Sequence, residues 1–205
     1  MFEGIFGLLK RRLIAQMGSG DNQQALKAVE DLKARGWFRD GTLAGAWLPG
    51  ANLRGAALAR ANLERARLPH ANLAGAYLGE TRLVEADLRQ AILCDANLRQ
   101  VSLRGANLAQ ADLRRAYLAA ADLDGAALAG ADLREATLWQ TRLEGADLLD
   151  ANLEGATLYA PQCDRRTRLP DGSTWVPGAD LRRFTDPQHP LFWSRDRANG
   201  HHDGG

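Results

Sequence analysis

Leucine stands at every fifth position from Leu43 to Leu158, 24 times in succession without a miss. This period matches neither the 3.6 of a helix nor the 2 of a long strand. Two residues before each leucine the chain has alanine, except at Gly41, Thr81, Val101 and Thr141, and the residue between is often Asn or Asp. Self-similarity of this kind sets the architecture before any local propensity does. In an extended Ala-x-Leu triplet, Ala and Leu point to one side and the middle residue to the other. The two remaining residues must turn the chain. Glycine at Gly55, Gly125 and Gly145 suits that task because it takes positive φ without steric cost. Repetition then winds a coil with Ala and Leu inside, and successive turns pair their backbones about 4.8 Å apart.

The triplets Ala51-Asn52-Leu53 and Ala131-Asp132-Leu133, continued in one register over residues 41–160, give this chain an A-(D/N)-L-x-x motif. In this it resembles the pentapeptide-repeat family. The resemblance implies an all-β solenoid, a right-handed quadrilateral β-helix with four pentapeptides per coil. On that geometry the 24 repeats make about six coils, the first and last about 24 Å apart. It also implies that a non-catalytic scaffold or protein-interaction module is the leading functional class. Some family members modulate DNA gyrase and related topoisomerases by mimicking DNA, and this supplies an alternative.

Three segments are expected: an N-terminal helical segment and cap (1–40), the β-helix (41–160) and a short irregular C-terminal tail (161–205). Within the first, Phe2, Ile5, Phe6, Leu9, Leu13 and Met17 fall at roughly helical spacing, with Lys10, Arg11 and Arg12 elsewhere on the wheel. One reading is a basic amphipathic helix that touches a membrane surface. The other is a helix packed on its own protein or on a second copy, and it is preferred because only three cations support the first. Asp21, with Gln24 three residues on, reads as an N-cap with a capping-box partner, and Gly36 as the stop of the helix it opens. An open solenoid end exposes its core and unpaired backbone, so this helix is expected to seal the first coil. In the tail, Leu169-Pro170-Asp171-Gly172-Ser173 predicts a hairpin, and Leu181–Phe184 a short helical turn.

Charge narrows the alternatives. The whole chain carries a net +1. Residues 41–160 hold 12 Arg and no Lys against 14 Asp and Glu, interspersed, which is a poor imitation of a polyanion. Nucleic acid is therefore not an expected partner. No apolar run approaches 18 residues. Lys10-Arg11-Arg12 follow the apolar stretch, where a secretory signal has its cations in front, so a cytoplasmic protein is expected. Cys94 and Cys163 have no metal-type spacing and fit a reducing compartment.

Residues twenty apart stack on one side, so the faces can be compared. One face carries Tyr77, Tyr117, Trp139 and Tyr159 with few charges (Arg60, Glu80, Arg99). The face before it carries Arg54, Asp95, Asp112, Arg114, Arg115, Asp132, Arg134, Glu135 and Glu154. The four aromatic residues form the candidate protein-interaction face. Phe2, Ile5, Phe6, Leu9 and Leu13 form the candidate membrane or self-association helix. The tail's Trp175, Phe184, Phe192 and Trp193 are expected to dock on Trp139 and Tyr159. No enzyme is expected: Asp112 above Asp132 reads as a ladder of solvated carboxylates, Cys94 as a bystander thiol, and His70 as a lone corner residue. His201-His202-Asp203 is a poor metal site, and no cofactor, metal or small-molecule substrate is expected.

Overall fold

The computed structural model describes residues 2–194, and side chains from Ile5 onward. Isolated parallel bridges join residues twenty apart in four columns. They run from Trp47 through Arg67 and Asp87 to Asp147, from Asn52 to Asn152, from Ala57 to Thr157, and from Asn62 to Gln162. Four columns make four sides. The repeating hydrogen bonds explain the period. Leu53 N–H donates to the Asn72 carbonyl at 2.7 Å, Gly55 N–H to Ala74 at 2.9 Å, and Asn72 N–H back to Ala51 at 2.9 Å. Ala56 N–H closes the corner onto Leu53 at 3.0 Å.

That corner needs a left-handed residue at its third position. Every fifth residue from Gly45 to Ala160 has positive φ, and 15 of these residues are not glycine, among them Glu85, Asp95, Arg115 and Ala120. The stacked coil therefore imposes αL where intrinsic preference opposes it. Gly125 isolates this term, since its φ is +65° and an added Cβ would meet nothing within 4 Å. Gly125→Ala is expected to lower stability by about 1–2 kcal/mol through backbone strain alone. Thermal denaturation followed by circular dichroism measures it, and an unchanged midpoint would refute the strain argument.

From Leu43 to Leu153 each leucine of the series is at most 4% exposed. The two threonines that interrupt the alanine series are also fully buried. Their hydroxyls are satisfied by the coil before: Thr81 Oγ1 donates to the Leu58 carbonyl at 2.9 Å and Thr141 Oγ1 to Leu118 at 3.1 Å.

The pairing runs past residue 160. Gln162 pairs with Arg142 in register, and Arg168 pairs with Asp147 after a one-residue insertion. Thr167 repeats the buried-threonine bond, donating to Leu143 at 2.7 Å, and Leu169 is buried. The coil thus extends beyond the expected limit at 160, because Cys163 stands where the next leucine belongs and conceals the continuation. The expected hairpin follows, with Arg168 and Thr174 in an antiparallel bridge.

Both ends are closed. Helix α1 (Phe2–Met17) packs on α2 (Asn22–Ala34). Asp21 caps α2, accepting from Gln24 N–H at 3.1 Å. The Gln24 side chain does not complete a capping box with Asp21, because Ser19 Oγ takes both groups: it accepts from Asp21 N–H at 3.0 Å and donates to Gln24 Oε1 at 2.9 Å. At the other end Gly36 N–H donates to Lys33 and Trp37 N–H to Leu32, a Schellman stop. Leu13, Met17, Ala25, Val29, Leu32 and Phe38 join the coil's core. The first coil's donors find acceptors in the cap, Asn52 N–H on Ser19 at 2.9 Å and Asn62 N–H on Phe38 at 2.7 Å. At the far end α3 (Arg182–Thr185) lays Phe184, 2% exposed, over the last leucines. No helix among the described residues is long and apolar enough to cross a membrane.

Candidate interaction face

The middle residue of each triplet points outward, so every face displays one residue per coil at strand spacing. Its Asn or Asp is held by the corner that follows. Asn97 Oδ1 accepts from Arg99 N–H at 3.1 Å, and Asp112 Oδ1 from Arg114 N–H at 3.2 Å. The carboxylates are further tied down by arginine. Arg114 and Arg134 reach back to Asp112 and Asp132 at 2.7 and 2.6 Å, and Arg115 reaches one coil back to Asp95 at 2.7 Å. The Arg114 hydrogen bond holds the Asp112 carboxyl below its ordinary range against the opposing effect of burial, and Arg115 does the same for Asp95. Asp112 is consequently an acceptor committed to structure, and Asp132 is likewise occupied by the Arg134 side chain and N–H. At Asp164 burial pushes upward, but Arg166 and the Gly145 N–H pull the carboxyl down to about 2.

The thiols are quiet as well. Burial, with Asp112 and Asp95 nearby, raises Cys94, and deeper burial pushes Cys163 up to about 11. Both are free. Neither is placed as an activated nucleophile. Among the described residues no group of three His, Cys, Asp or Glu side chains is arranged to hold a metal. His201, His202 and Asp203 lie outside the described residues.

The neighbouring face differs. Bridges place Tyr77 and Tyr117 on one column with Asn97 between them, followed by Thr137 and Thr157. Two strand steps separate the tyrosines, about 9.6 Å. Both project from the flat side, Tyr77 59% and Tyr117 39% exposed. Trp139 and Tyr159 occupy the corner of the same side and meet edge to face, with ring centroids 5.8 Å apart. They remain 48% and 61% exposed. The charges of this side are largely self-cancelling, since Arg60 bonds Glu80 across one coil at 3.0 Å.

A family model of pentapeptide repeats matches the chain in 8 copies, over segments running from 39–73 to 127–159. The chain belongs to the pentapeptide repeat family. Solved structures of pentapeptide repeat proteins resemble it. HetL of the cyanobacterium Nostoc sp. strain PCC 7120, involved in heterocyst differentiation regulation, is 36% identical, with 64% of this chain and 75% of that one covered and a TM-score of 0.33. A protein of the Arabidopsis thaliana thylakoid lumen is 25% identical over 70% and 90% of the two chains, with a TM-score of 0.35. QnrB1, a plasmid-mediated fluoroquinolone resistance protein, is 15% identical over 60% and 84%, with a TM-score of 0.47. No curated protein matches.

Within this pentapeptide repeat coil Tyr77 and Tyr117 share one column of bridges, and Trp139 and Tyr159 meet each other at the corner that follows it. The tail does not cover Trp139 and Tyr159 with Phe184 or Trp193. Phe184 goes into the end of the core, and Trp193 meets it at 6.0 Å. The open leucine end offers far more area to bury than a half-exposed ring pair, so it captures the tail.

The other candidate group is divided. Leu13 is buried in the core and Leu9 packs half-buried against it, while Ile5 and Phe6 stay exposed. The side chain of Phe2 lies outside the described residues. Leu8, absent from the expected stripe, is 68% exposed. Trp47, on a third side, stands 62% exposed with the Arg67 guanidinium 5.4 Å over its ring.

Proposed function

We propose that this protein is a non-catalytic scaffold, a rod of about six coils that binds a protein partner in the cytoplasm through the side bearing Tyr77, Tyr117, Trp139 and Tyr159. The observation that carries this reading is the contrast between adjacent sides. One ties Asp95, Asp112 and Asp132 to Arg115, Arg114 and Arg134, and the other presents four large rings between 39% and 61% exposed. Exposed aromatic residues on a rigid surface suit a protein interface, since they offer large contact area at small entropic cost. Family membership supports a structural or interaction role in general terms.

The DNA-mimic alternative is less well supported. A polyanion imitator needs unpaired negative charge along its surface. In this coil Asp87, Asp95, Asp112, Asp132 and Asp164 each bond an arginine at 2.6–2.7 Å.

The test is a pull-down with the wild-type protein and with Tyr77→Ser/Tyr117→Ser, both shown by circular dichroism to be folded. Interface aromatics of this kind contribute on the order of 2 kcal/mol each. A partner held by the wild type is expected to be lost by the variant. Equal recovery from both proteins would remove the aromatic side as the binding site.

A further inference from the structure

The two halves of α1 have different surroundings. Its C-terminal half belongs to the core through Leu13 and Met17. Its N-terminal half leaves Ile5, Phe6 and Leu8 at 63%, 52% and 68% exposure. Just beyond this apolar tip stand Lys10, Arg11 and Arg12. Lys10 is engaged, bonding Asp40 at 2.8 Å and lying 5.0 Å over the Trp37 ring. Arg11 and Arg12 are exposed and have no partner among the described residues. The helix pair therefore offers a largely exposed apolar tip, where Phe6 meets Trp37 edge to face with ring centroids 6.4 Å apart and Ile5 and Leu8 face outward, with the guanidinium groups of Arg11 and Arg12 behind it.

Two occupants would bury the tip, a second copy of this chain or a lipid surface. Area argues against the copy. A stable interface buries roughly 800 Å² per partner, and three partly exposed side chains fall well short of that. Charge argues the same way. A two-fold contact brings the same patch of each subunit together, and so gathers the guanidinium groups of both copies at one interface. An anionic bilayer accepts both features, apolar groups at the acyl boundary and guanidinium groups among the headgroup phosphates.

The geometry points to the N-terminal half of α1 as an attachment site for anionic lipid surfaces, formed by Ile5, Phe6 and Leu8 with Arg11 and Arg12. It is independent of the aromatic side, which lies on the coil itself, so either inference can fail without the other.

Co-sedimentation of the full chain with vesicles tests it, using phosphatidylcholine alone and phosphatidylcholine containing phosphatidylglycerol. Binding to the anionic vesicles is expected to exceed binding to the neutral ones by about tenfold or more, and to weaken as salt is raised. Ile5→Ser/Leu8→Ser and Arg11→Glu/Arg12→Glu should each abolish the difference while leaving the circular dichroism spectrum unchanged. Equal binding to both vesicle types, or to neither, overturns the inference. So does a lipid-free dimer in sedimentation velocity that Ile5→Ser/Leu8→Ser converts to monomer, which would assign the tip to a second copy.

Discussion

Leu103→Ala is expected to destabilise the protein by about 3–5 kcal/mol, near the upper end for large-to-small core substitutions. Leu103 is fully buried, midway along the coil. Its N–H donates to the Asp122 carbonyl at 2.7 Å, and Ala106 N–H returns to its own carbonyl at 3.0 Å. Such bonds repeat on every coil above and below. They fix the spacing of the turns, so the walls of a cavity at Leu103 cannot close in, and the cost of a cavity rises with the volume left unfilled. Leu158→Ala is the control. Leu158 belongs to the same series but is only partly buried at the end of the coil, so its loss should cost about 1–2 kcal/mol. Urea denaturation of the two variants compares them. Equal midpoints would mean that the middle of the coil relaxes as readily as its end, and that the backbone ladder does not hold the turns at a fixed spacing.

The same series shows what could be read from the sequence. The period of five with stacking at twenty follows from the leucines alone, and the bridges reproduce it column by column. Which residues share a side was therefore legible, including Tyr77 with Tyr117 and Trp139 with Tyr159. The corners were legible only in part. Glycine marks nine of them, but Glu85, Asp95 and Ala120 carry the same positive φ with no local signal, because the requirement comes from the neighbouring coils. The end of the coil was hidden by Cys163, which takes a leucine place, and by the insertion before Thr167. Thr167 itself was a usable clue, since Thr81 and Thr141 had already replaced alanine in register. Outside the repeat, the helical spacing of α1 set Leu13 on the apolar stripe and left Leu8 off it, but could not tell buried Leu13 from exposed Ile5 and Phe6 on the same stripe. Nothing in the sequence directed Phe184 to the end of the core.

Phe184→Ala is expected to cost about 3–5 kcal/mol and, in addition, to make the protein self-associate. Phe184 stands against Leu138, Leu143, Leu148, Leu153, Leu158, Cys163, Leu169 and Leu181, around a residual void of only 10 Å³. It is held there by backbone as well as by packing. Gly155 N–H donates to the Thr185 carbonyl at 2.8 Å, and Trp193 N–H to Arg183 at 2.8 Å. The Arg183 side chain bonds Asp171 at the hairpin, and its guanidinium lies 4.5 Å over the Phe184 ring. Without the ring, α3 loses its one fully buried side chain and the tail its reason to fold back. The exposed surface would then combine a leucine core with unpaired backbone donors and acceptors, which is a template for another coil end. Trp193→Ala separates the two effects. Trp193 touches Phe184 from outside and is itself only partly buried, so its removal should lower stability modestly and leave the protein monomeric. Size-exclusion chromatography across a concentration series reads the association. A Phe184→Ala variant that is destabilised but strictly monomeric would show that the tail is packing only, and that the coil end needs no cover.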